Sequence, residues 1–397
     1  MNSASSSTAC VVCGSLQTAV FAQVRGVPVH TTLLWRTRAE AQGAPVGDVD
    51  LTYCRECGHI FNPLFEESKT EYTQAYENSL HFSPLFQKYA ESLSGRLISR
   101  YGLHGKDVLE IGAGKGDFLA MMVRGGVRRG IGFDPSYVPE AAHRDLVDSG
   151  RMAVVQRFYD PETAGATADL YVCRQVLEHI DRPRGFLERV RAGMPEGRGA
   201  VVFFEVPNTL CMLRDLDVWT IIYEHCGFFT PQSLGRLFEV SGFDVLSLDE
   251  HFEGIFLGIE ARAGEGVGRG GNGEAVPGGL ASLVEKFERR FEEKVLYWKT
   301  TLRALSQAGK RVVIWGGGAR GVTFLNMVDT ERVISYAVDM NPRKSGAYIS
   351  GTGQQLIPPS GLISYKPDVV ILMNPIYREE VAGTLRELGV HPELVSA

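Results

Sequence analysis

Short apolar runs alternate with amphipathic stretches twice along this chain, and no other feature limits its fold so tightly. Runs at 107–111, 130–133, 152–156, 169–173 and 200–205 read as buried strands with helices between them, the pattern of a parallel sheet covered on both faces. The pattern stops near Ala261, where residues 264–273 become a glycine-rich flexible linker. Beyond it, 280–308 reads as a long charged helix with Leu283, Phe287, Phe291 and Val295 on one apolar face. A second α/β unit follows, with strands expected at 311–315, 333–338 and 368–373. Ahead of the first unit, 66–100 reads as helical with one break and carries Tyr72, Tyr76, His81, Phe82 and Tyr89.

Size and composition agree with this organisation. The 397 residues suit two or three domains, and 44% hydrophobic with 22% charged residues allows sizeable cores while excluding disordered or collagen-like chains. Lys plus Arg number 41 against 47 Asp plus Glu, a net charge of −6, which argues against nucleic acid as a partner. No apolar run approaches the ~20 residues of a membrane helix, and the first residues carry neither the basic nor the apolar part of a signal peptide. The expectation is a cytoplasmic protein acting on a small molecule, without a membrane or nucleic-acid partner; oligomeric state is left open. In that setting its seven cysteines read as thiols or metal ligands rather than disulfides.

Four of them form two Cys-x-x-Cys pairs, Cys10/Cys13 and Cys54/Cys57, each followed by glycine (Gly14 and Gly58). Two such knuckles place four thiolates around one zinc ion, and four sulfurs leave no open position, so the expected role is structural. Metal binding would supply much of the folding energy of a lobe with little core of its own. The alternatives are unrelated buried cysteines or a redox pair.

At the end of the first strand of the α/β unit, Glu110 precedes the turn Gly112-Ala113-Gly114-Lys115-Gly116. Glycines there let the main chain approach a ligand, and the strand's C-terminal edge is where open α/β sheets bind one. A carboxylate beside the turn would repel a pyrophosphate and suits an amine-bearing ligand instead. The next strand ends in Asp134, placed to take ribose hydroxyls, and a later one runs into Arg174-Gln175-Val176-Leu177-Glu178-His179-Ile180. Together these motifs resemble class I S-adenosylmethionine (SAM) methyltransferases over about 150 residues. The resemblance implies SAM as cofactor, contacted by Glu110, Gly112, Ala113, Gly114, Asp134 and Gln175.

Paired Cys-x-x-Cys motifs, a SAM fold and a second Rossmann-like unit in one chain resemble the sugar C-methyltransferases, which act on nucleotide-linked keto-deoxysugars. The resemblance rests on Tyr76 with Asn78 and Ser83, on Ile222-Tyr223-Glu224-His225, on Trp315 to Gly321, on Asp339 to Lys344 and on Lys366-Pro367-Asp368. It implies a zinc lobe at 1–68, a SAM-binding domain at 69–262, a linker at 263–279 and a C-terminal Rossmann-like substrate domain at 280–397.

Carbon becomes a nucleophile only when a base takes a proton from beside a carbonyl and donors hold the resulting enolate oxygen. His225 is the expected base, with Glu224 or another carboxylate setting its tautomer, Tyr76 and Tyr223 as oxyanion donors and His179 nearby. Asn78, Ser83, Arg320 and Lys344 are expected to bind the acceptor, the last two through its phosphates. This chain has Ile222-Tyr223 where the family reads Tyr-His, so methylation at oxygen stays open, as do an RNA acceptor and a non-catalytic SAM-binding module. The second glycine loop, with Asp339 about 20 residues beyond Gly316-x-Gly318-x-x-Gly321, superficially suits NAD; the resemblance implies a lobe without a cofactor.

Overall fold

The structure, a computed structural model, describes residues 8–70, 73–195, 197, 199–264, 278–329 and 331–397. Its strands fall into three sheets. In the N-terminal lobe β1 (Thr18–Pro28), β2 (Val46–Cys54) and β3 (Ile60–Phe61) pair antiparallel. The first α/β unit supplies β4 (Asp107–Ile111), β5 (Arg129–Phe133), β6 (Met152–Val155), β7 (Leu170–Arg174) and β8 (Val201–Pro207). Then come β9 (Gly227–Phe228), β10 (Phe243–His251) and β11 (Phe256–Ala263). The C-terminal unit holds β12 (Val312–Trp315), β13 (Tyr336–Val338), β14 (Gln355–Ile357), β15 (Val369–Leu372) and β16 (Glu393–Ser396).

The central sheet runs β10-β11-β8-β7-β4-β5-β6, parallel except for β11, which runs against both neighbours. Its middle strands are apolar on both faces because helices cover both, and Val108, Leu109, Leu170 and Tyr171 are fully buried. The C-terminal sheet, β14-β13-β12-β15-β16, is parallel throughout. β9 leaves its own unit to finish the N-terminal sheet: Phe228 pairs with Ile60 and Gly227 with Phe61.

Three expectations change. The helix foreseen over 66–100 is confined to Pro84–Tyr101, after a single 3-10 turn at Glu67–Lys69. Ser83 caps its first turn with Pro84 next, and Gly102 at φ 55° ends it, so Tyr76, His81 and Phe82 lie in an irregular connection of turns and one bridge. Tyr72 and most of the 263–279 linker fall outside the described residues. The strand foreseen at 333–338 shrinks to Tyr336–Val338, because Val333 and Ile334 give their amides to the Asp329 carboxylate instead of a ladder.

The third change concerns how separate the lobes are. The long helix, Gly278–Gln307, buries Leu280, Val284, Phe287, Phe291, Trp298 and Leu302, while Leu283 and Val295 lie at the edge of that seam. Phe287 meets Phe21 of β1 edge-on at 6.0 Å, and Trp298 meets Phe324 of the C-terminal unit at 5.3 Å. Phe324 also packs on Trp219 of the first unit at 4.9 Å. One continuous apolar core thus joins all three lobes.

Candidate active site

A cleft of about 330 Å³ lies between the strand ends of the two α/β units, within the size range of small-molecule sites. Met212, Ile222, Phe228, Phe252 and Phe256 line it from the first unit, and Trp315, Met340, Met373 and Tyr377 from the second. Of the expected acceptor and catalytic residues, His225, Ser83, Arg320 and Lys344 are in its wall.

His225 sits just before β9, so the ladder between β9 and β3 fixes its backbone. Burial, with His179 beside it, holds its imidazole well below the usual histidine range, which keeps the ring neutral. The His179 ring meets it edge-on at 4.9 Å. Burial also lowers the His179 pKa, and the Glu224 carboxylate and backbone partly offset this. Glu224 itself turns toward the N-terminal lobe, accepting from the Thr31 amide at 2.9 Å and hydroxyl at 2.6 Å, with His30 at 3.6 Å. It thus braces the segment carrying His225 from behind.

Tyr223 does not reach the cleft. Its ring is fully buried in the core of the N-terminal lobe, and its hydroxyl accepts from the Glu66 amide at 2.9 Å, so it is not among the cleft-lining residues. Tyr76 is buried beside Leu33, its backbone partner in an isolated bridge, and Asn78 is exposed; neither is among the cleft-lining residues. Ser83 caps its helix and donates to Glu380 at 2.8 Å. Arg320 and Lys344 are in place, but each holds a carboxylate: Arg320 pairs with Asp217 at 2.7 Å and Lys344 with Asp339 at 2.9 Å.

The residues expected to contact a cofactor lie apart from that wall, at the C-terminal ends of β4, β5 and β7. Glu110 is 3% exposed and its Oε2 has no hydrogen-bond partner; burial, partly offset by Arg174, pushes its carboxyl up to about 8. An unpartnered buried carboxyl oxygen beside a glycine turn fits a ligand ammonium group. Gly112 and Gly114 have φ of 72° and 55°; a Cβ on Gly112 would meet Val176 at 2.2 Å, whereas a Cβ on Gly114 would meet nothing within 4 Å. The turn is therefore packed on one side and open on the other, as a ligand cradle must be. Asp134 accepts from the Gly114 amide at 2.8 Å and from the Ser136 amide and hydroxyl at 2.7 Å. Gln175 has an unusual φ of 56° and donates to Glu205 at 3.2 Å. Ser79 links the regions, since it lines the cleft and reaches Asp117, the first residue after the glycine turn, at 3.2 Å.

The second glycine loop repeats this geometry: Asp339 accepts from the Gly317 amide at 3.1 Å and the Asn341 amide at 2.9 Å. Its loop amide already faces a carboxylate, which disfavours a dinucleotide pyrophosphate there. In the N-terminal lobe the four expected cysteine sulfurs lie within 4.8 Å of one another, with Cys10–Cys57 and Cys13–Cys54 at 3.6 Å. A tetrahedral ion with bonds of about 2.3 Å asks for sulfur separations near 3.8 Å. Gly14 and Gly58, at φ 75° and 74°, close the two matching turns onto the Cys10 and Cys54 carbonyls.

Sequence reading missed much of the wall. Asp217, Asn208, Phe252, Asn374 and Tyr377 line the cleft from short turns after strands or helices, and no spacing rule marks them. The only available signal was position: Asn208 and Asn374 follow the C-terminal ends of β8 and β15.

Comparison with known proteins agrees with this geometry. A methyltransferase-domain family matches residues 86–248, and a family described as the C-methyltransferase C-terminal domain matches residues 279–391. With the class I strand order and the glycine turn, the chain is a SAM-dependent methyltransferase. It is similar to C-methyltransferase NovU of Streptomyces niveus, 24% identical over 399 residues, 95% of this chain and 92% of that one. Among solved structures, 1,6-didemethyltoxoflavin-N1-methyltransferase of Burkholderia thailandensis is 14% identical over 52% of this chain and 96% of its own, at a TM-score of 0.36. The pyocyanin biosynthetic protein PhzM is 14% identical over 45% of this chain, at a TM-score of 0.35. This chain spans 55%, about half, of its length. Among the described residues no helix is long and apolar enough to cross a membrane.

Proposed function

We propose that this protein methylates a carbon beside a carbonyl of a nucleotide-linked keto-deoxysugar, with His225 as the base. The observation that carries the reading is the neutral His225 imidazole in the wall of the interdomain cleft. A neutral ring has a lone pair for a carbon-bound proton, and its apolar neighbours Ile222 and Phe228 exclude water from the exchange. The proton passes from the acceptor carbon to the His225 ring, and the electron pair left behind delocalises into the carbonyl. Tyr377, whose hydroxyl burial keeps protonated, lines the same cleft from the opposite unit and can donate to that oxygen.

When bound, SAM supplies an electrophilic methyl group on a sulfonium. Glu110 would hold its ammonium, the turn Gly112 to Gly114 its amino-acid part and Asp134 its ribose. Arg320 and Lys344 face the cleft for the acceptor's phosphates, which would displace Asp217 and Asp339 from them. The four cysteines would hold a structural zinc ion. The match to a C-methyltransferase C-terminal domain and the similarity to NovU support methylation at carbon.

The test is His225→Ala. SAM binding by calorimetry should be unchanged and turnover should fall by about 10²–10⁴-fold. With the demethylated cofactor bound, deuterium should wash from solvent into one acceptor carbon in the wild type and not in the variant. Methylation at oxygen predicts no such exchange in either, and near-normal turnover of the variant removes His225 as the base.

A further inference from the structure

We propose that Glu178, His179 and His225 form a binding site for one divalent transition-metal ion, separate from the four cysteines. Their donor atoms lie within 4.8 Å of one another, and the set is drawn from two distant segments, the turn after β7 and His225, two residues ahead of β9. Glu178 supplies the independent observation. It is 2% exposed, and its Oε2, buried in the protein, has no hydrogen-bond partner. A buried carboxylate oxygen left without a partner costs folding free energy unless a cation or proton meets it. The charged side chains that act on it from neighbouring elements include Glu205, which repels rather than compensates.

Two imidazoles and one carboxylate are ligands for zinc, cobalt or ferrous iron; calcium and magnesium prefer oxygen alone. Bonds of about 2.0–2.2 Å require donors nearer 3.4 Å apart, so separations at the 4.8 Å limit would have to close by up to about 1.4 Å. Taken as whole residues, His179 and His225 keep some exposure, whereas Glu178 is buried. The Glu224 backbone meets the His179 ring, the kind of outer contact that orients a ligating histidine. Three protein ligands leave a position open, and of the three His225 lines the cleft.

The site itself is independent of the reaction proposed above, but its consequence rests on that reading: a ring nitrogen bonded to a metal has no lone pair for a proton. Occupation therefore blocks the base, and the ion acts as an inhibitor of methyl transfer.

The experiment uses the full chain with its cysteine site first saturated with zinc, then titrated with cobalt(II). One further equivalent should bind with visible d–d bands and without thiolate charge-transfer bands. Glu178→Gln and, independently, His179→Asn should each weaken that binding at least about tenfold, with zinc content and circular dichroism unchanged. Cobalt that binds only with thiolate bands, or as tightly to both folded variants as to the wild type, overturns the site. Turnover should fall as the second equivalent fills. Undiminished turnover with the ion bound keeps the site and counts instead against His225 as the base.

Discussion

Glu110 carries the most consequential single group outside the cleft, because burial leaves it mostly neutral near pH 7 while its ligand would need it charged. Its carboxyl is raised to about 8, so the ionised form gains population as pH rises toward that value. Affinity for S-adenosylhomocysteine should therefore climb from about pH 6 to about pH 8 and level off where the ligand's own α-amino group begins to lose its proton. Calorimetry of Glu110→Gln should show weaker binding without that climb; a parallel pH dependence in the variant would remove Glu110 as the ammonium partner. At this scale the sequence put Glu110 and Asp134 beside a glycine turn, and in the structure Glu110 is buried there and Asp134 accepts from the Gly114 amide. It was unreadable where direction decides. Tyr223 and His225 are two residues apart, yet one packs into the N-terminal lobe and the other faces the cleft, and a dipeptide spacing outside a regular element encodes neither.

The strand–turn–helix that follows β4 separates space from strain. Ala at Gly112 would drive a methyl group into Val176 at 2.2 Å, forcing the ends of β4 and β7 apart, so Gly112→Ala should lower thermal stability severely. Ala at Gly114 meets no atom and costs only the left-handed backbone, about 1–2 kcal/mol, so the fold should survive. Its added methyl group would stand where the cofactor is expected, and affinity for S-adenosylhomocysteine should drop by at least about tenfold. Thermal melts and calorimetry on the two variants check this; unchanged affinity in Gly114→Ala would place the cofactor elsewhere. The strands of both α/β units were legible because doubly covered strands are continuous apolar runs. The connection at 73–83 was misread as helix since its aromatic residues mimic a helical face. It is held outside a helix by contacts from the C-terminal unit: Asn341 donates to Glu77 at 2.9 Å, and Glu380 accepts from Ser83 and the Leu85 amide. No local pattern contains such partners, nearly 300 residues away.

Across the whole molecule, the lobes expected from motif boundaries share one core, and the long helix between β11 and β12 is its spine. Composition shifts do not show that Phe287 of the long helix would pack on Phe21 and its Trp298 on Phe324. Removing the metal proposed at Cys10, Cys13, Cys54 and Cys57 should therefore reach beyond the N-terminal lobe. A strong chelator should lower methyl transfer in step with loss of β-sheet signal by circular dichroism, while S-adenosylhomocysteine still binds at β4. Full activity in a metal-free chain would refute this dependence. The physical link is short. Ile60, three residues past Cys57, pairs with Phe228, three residues past His225. The backbone that aims the imidazole is thus tied by one pair of amide ladders to a knuckle far from the chemistry. A cell short of zinc would then make this enzyme with its donor pocket loaded and its trigger slack, holding SAM without spending it.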